Sequence, residues 1–66
     1  MFRKVWKVIA CIDDEKEAWL CQNIFGNDNI DVELDQVIRE RLTLKQAIKI
    51  YLKLSRLGIF SMIFKE

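Results

Sequence analysis

The 66-residue chain has no histidine and no proline, and only two glycines and two cysteines. Histidine is the side chain that most often titrates near neutrality, and its absence removes whole classes of chemistry. Ser–His–Asp and Cys–His nucleophilic systems drop out, as do HExxH zinc hydrolysis and the zinc fingers that use histidine. With Gly26 and Gly58 the only glycines, neither a P-loop nor a GxGxxG turn can be drawn. Cys11 and Cys21 form no CxxC pair and complete no metal-ligand set. They read as two apolar thiols in a reducing compartment. Asp13, Asp14 and Glu15 lack the alternation and closing glutamate of a calcium loop, and suit a helix N-terminus instead. No enzyme, cofactor or metal is expected.

Long apolar runs are missing too. The longest uncharged stretch near the end, LGIFSMIF at 57–64, is far short of the roughly 20 residues that span a bilayer. Arg3, Lys4 and Lys7 precede no long apolar region of the kind a signal peptide needs. No membrane insertion is expected, and a cytoplasmic protein is.

What is present is hydrophobic: 52% of the residues. A chain of this size buries only about 60% of the surface its unfolded form exposes. Below roughly 70–80 residues, disulfides, a metal or a partner subunit usually assist folding. The third aid is the one left, so a single domain over 1–66 that forms a homodimer is expected. Trp6 and Phe60, on terminal strands that could pair, are the expected interface residues.

The β-branched and aromatic density of residues 2–12 predicts a strand. Asp13 or Asp14 then caps a helix that runs to about Phe25 and stops at Gly26. Residues 30–42 fit two periods. Ile30, Val32 and Leu34 alternate like a strand, while Leu34, Val37, Ile38 and Leu42 make a helical stripe. The reading taken is a short extended piece at 29–31 and a helix over 32–42 capped by Asp31. Thr43-Leu44-Lys45-Gln46 is a capping-box sequence, so a further helix starts there and ends before Gly58. Residues 59–65 read as a strand. The expected fold is α+β in the order strand-helix-helix-helix-strand, with the terminal strands paired and a helix-turn-helix-like core.

The net charge of +1 conceals segregation: residues 1–12 sum to +3, 13–40 to −7, and 41–66 to +5. Arg41, Lys45, Lys49 and Lys53 recur every fourth residue, followed by Arg56. On a helix, positions 45–56 of this set fall within one sector of about 80°. Such a stripe can be a solvated face, a track for phosphates, or an attraction to anionic lipid. The acidic middle can instead meet a basic protein partner, which makes a protein-interaction module or small inhibitor the alternative.

Residues 30–65 resemble the core of a winged helix-turn-helix domain. The likeness rests on the helix assigned to Glu33–Leu42, the Thr43 cap, Ala47, Tyr51 and Leu54 at core spacing, and the run YLKLSRLGIF at 51–60. It implies a small regulatory protein that binds double-stranded DNA through the second helix. It assigns Lys45, Lys49, Lys53 and Arg56 to the DNA-facing side; Arg41 of the same periodic series and Gln46, the best reader of bases, complete the expected nucleic-acid-binding set.

Overall fold

A computed structural model describes residues 3–26 and 29–66. The elements are strand β1 (Trp6–Cys11), helix α1 (Glu15–Phe25), strands β2 (Ile30–Val32) and β3 (Gln36–Leu42), helix α2 (Leu44–Arg56) and strand β4 (Ser61–Lys65). The strands form one antiparallel sheet in the order β2-β3-β1-β4. Each helix therefore bridges two parallel strands that hold a third between them, which is the split-βαβ, ferredoxin-like arrangement. The fold is α+β, with two helices and four strands.

The expectation of three helices between two strands is overturned, and the helix-turn-helix-like core with it. The segment assigned to a helix at 32–42 forms the hairpin β2–β3, and Asp31 is a strand residue rather than a cap. The hairpin turns at Leu34-Asp35, closed by the Glu33 N–H donating to the Gln36 carbonyl at 2.8 Å. Two local features mimic a helical stripe in this stretch. Leu34 sits at the turn, 100% exposed. Leu42 is buried only because a bulge intervenes. Strict alternation from Val37 would send Arg41 inward and Leu42 out. The register of β1 on β3 shifts between Trp6 and Val8, and Arg41 takes φ 57°. That extra residue reverses the facing of the strand end, so Leu42 enters the core and Arg41 meets water.

Both helices lie on one face of the sheet, α2 over β1 and β4, α1 toward β3 and β2. Val8, Ala10 and Ile12 of the first strand segment meet Val37, Leu42, Cys21, Phe25, Ala47 and Leu54 in one core. Alternation leaves Ile9, Cys11, Ile38, Met62 and Phe64 on the other face.

Helix α1 begins as its acids dictate. Asp14 Oδ1 accepts from the Glu17 N–H at 2.8 Å, and Glu17 Oε1 accepts from the Asp13 N–H at 2.9 Å. Gly26, at φ 85°, ends it. Its buried positions are Cys21 and Phe25, whereas Trp19 is 64% exposed. No basic residue stands in the last turn of α1. Arg39 of β3 supplies the cation from outside, its Nε donating to the Phe25 carbonyl at 3.0 Å and its Nη1 to the Glu40 carbonyl at 2.9 Å.

Cys21 is fully buried. Burial, with the Glu17 charge adding to it, pushes its thiol from 9.0 up to about 11. Folding thus favours the protonated thiol. The stability this contributes is complete below about pH 9 and is lost as pH rises through about 11. Denaturation across that interval should show the wild type losing more stability than Cys21→Ala; equal losses would contradict the assignment.

Candidate nucleic-acid interface

The basic ridge begins at a well-made helix start. Thr43 Oγ1 accepts from the Gln46 N–H at 3.2 Å, and Gln46 Oε1 accepts from the Thr43 N–H at 2.9 Å. This capping box satisfies two donors that the first turn of α2 would otherwise leave free. It also engages the side-chain oxygen of Gln46, the residue assigned to base reading, in holding the helix.

Helix α2 turns Ala47 and Leu54 into the core, with Ile50 half-buried beside them. Lys45, Lys49, Lys53 and Arg56 occupy the opposite side and are all exposed. The stripe faces solvent and is not covered by the acidic helix of its own chain. Arg41 is exposed as well, but belongs to the bulged end of β3. The periodicity that joined it to the lysines in sequence crosses an element boundary at Thr43.

Beside the ridge, on the α1 side, lies a depression of about 230 Å³ lined by Arg39, Lys49, Lys53, Gln46 and the apolar Phe25, Leu42 and Ile50. It brings the inward-directed Arg39 near two ridge lysines, a neighbour that sequence spacing cannot reveal because a strand carries Arg39 and a helix the lysines. On the opposite flank, Leu44, Ile48, Tyr51 and Leu52 are exposed. Apolar side chains of α2 thus face outward beside the basic ones. A groove of about 780 Å³ runs along that flank, where Leu44 and Ile48 meet Trp6, Val5 and Lys65.

Trp6 and Phe60, paired by expectation, do not share a patch. Trp6 is half-buried on the helix side of the sheet and faces Lys65 across the ladder. Phe60 is 65% exposed ahead of β4, where its carbonyl accepts from the Cys11 N–H at 2.8 Å.

Asp31, Glu33 and Asp35 are exposed along the β2–β3 hairpin, at the sheet edge farthest from β4. No group of histidine, cysteine or carboxylate side chains among the described residues could hold a metal ion. No helix of the described residues is long and apolar enough to cross a membrane. Neither a protein-family model, nor a curated protein, nor a solved structure matches the chain.

Proposed function

We propose that this is a non-enzymatic, double-stranded DNA-binding protein that contacts phosphates along the α2 ridge. The supporting observation is that Lys45, Lys49, Lys53 and Arg56 all remain exposed on the side of α2 away from the core. They extend over about 16 Å of helix, a length along which one strand of a duplex presents roughly four to five phosphates. Arg41, near the helix start, adds a cation at that end. The helix lies across the backbone as the outer layer of a sheet-supported face, so the contacts position the protein without reading sequence. Its two free thiols, Cys11 half-exposed and Cys21 buried, suit a reducing compartment such as the cytoplasm.

The test is binding to random-sequence duplex at low salt, expected to be measurable, indifferent to sequence, and weaker as salt rises. No binding at low salt overturns the proposal. A second reading, a module that docks on a basic protein, draws on the exposed hairpin Asp31, Glu33, Leu34 and Asp35. Charge reversal at Asp31 and Asp35 should leave duplex binding at least as strong as before, whereas under the second reading it abolishes capture of a basic protein partner.

A further inference from the structure

The two edges of the sheet are unequal. The β2 edge is only Ile30–Val32 and is flanked by Asp31, Glu33 and Asp35, a short, charged edge that resists pairing. The β4 edge is Ser61–Lys65, uncharged until its last residue, and among the described residues nothing pairs with its outer side. The ladder to β1 shows which groups are free there. Cys11 donates to the Phe60 carbonyl and Glu66 to the Val5 carbonyl, so by alternation 60, 62, 64 and 66 bond toward β1. The N–H and C=O groups of Ser61, Ile63 and Lys65 therefore point away from the sheet.

We infer that this edge pairs antiparallel with β4 of a second copy, about a two-fold axis at Ile63. The set is self-complementary in that register. Ile63 exchanges hydrogen bonds with Ile63 of the second copy, and Ser61 exchanges them with its Lys65. On the open face Met62 comes beside Phe64 of the second copy in a close, non-hydrogen-bonded pair, a favourable sulfur–aromatic contact.

The placement of α2 also favours a second copy of this chain as the occupant. Helix α2 sits over β1 and β4. Two-fold pairing at β4 would set the two α2 helices about two strand spacings apart, roughly 10 Å, a distance at which helices pack. Antiparallel β4 strands bring the start of one α2 to the end of the other. Leu52 of the second copy then enters the groove beside Leu44 and Ile48, covering the apolar flank that a monomer leaves wet.

Sedimentation equilibrium of the full chain without nucleic acid tests this independently of any DNA binding. The expected mass is twice that of the chain at micromolar concentration. Leu52→Lys, at an exposed position, should give a monomer with the wild-type circular dichroism spectrum. In a Cys11→Ser background, Ile63→Cys treated with oxidised glutathione should yield a disulfide-linked dimer, because symmetry places the two Cα atoms about 5.5 Å apart. Ser61→Cys should not cross-link to itself. A monomeric wild type overturns the inference, as does a dimer that survives Leu52→Lys or cross-links through position 61 rather than 63.

Discussion

Replacing Leu54 with alanine should remove about half of the stability of the fold. Leu54 has no solvent exposure and faces the sheet from α2. Its carbonyl also accepts from the N–H groups of Leu57 and Ile59, at 3.1 and 3.0 Å, where the chain leaves the helix for β4. Leucine-to-alanine changes in cores cost about 2–5 kcal/mol, through lost burial and the cavity left behind. At roughly 0.05–0.15 kcal/mol per residue, a chain this short has only about 3–10 kcal/mol in total. At the middle of both ranges the loss is thus about half of the whole. Leu34→Ala, at the fully exposed hairpin turn, should change stability by less than about 0.5 kcal/mol. Urea denaturation followed by circular dichroism measures both. A large cost at Leu34 would favour the helical period over 32–42 and contradict the hairpin.

Neutralising the ridge should have the largest effect on binding. For duplex DNA, log K falls with log salt at a slope of about −0.9 per phosphate contact. Four contacts give a slope of roughly −3.6 and, between 50 and 200 mM salt, an affinity loss on the order of 10². Changing Lys45, Lys49, Lys53 and Arg56 together to alanine should remove that dependence and reduce low-salt binding to background. The fold should survive, because all four are exposed and the capping box and the core face of α2 are untouched. A folded variant that binds like the wild type would locate the interface elsewhere.

The contrast between Leu34 and Leu54 also explains how much the sequence reveals. Local chemistry was legible where one residue type suffices: Asp14 capping α1, Gly26 ending it, and Thr43 with Gln46 starting α2. The strand character of both ends was legible from β-branched and aromatic density. The middle was not, because residues 30–42 satisfy two periods and the deciding facts are non-local. Pairing of β3 with β1, and the bulge at Arg41 that turns Leu42 inward, depend on a strand more than 25 residues away.

The candidate site divides in the same way. Lys45, Lys49, Lys53 and Arg56 share one element, so helical geometry alone groups them. Arg41 joined the series by spacing, although a strand end carries it. Arg39 was invisible as a neighbour of the ridge, since only the sheet and α1 together bring it there. The exposed flank of α2 was likewise hidden. Sequence tells that Leu44, Ile48, Tyr51 and Leu52 are apolar, but not that α2 lies over β1 and β4, at the edge of the sheet, where no other described element of the chain covers them.

The contact of the α2 ridge with phosphate is tested most directly by comparing salt titrations of duplex binding for the wild type and Lys49→Ala. The account predicts slopes differing by about 0.9, with the variant binding more weakly at every salt concentration below the crossing of the two lines. Identical slopes, or a wild type that does not bind at low salt, would contradict it.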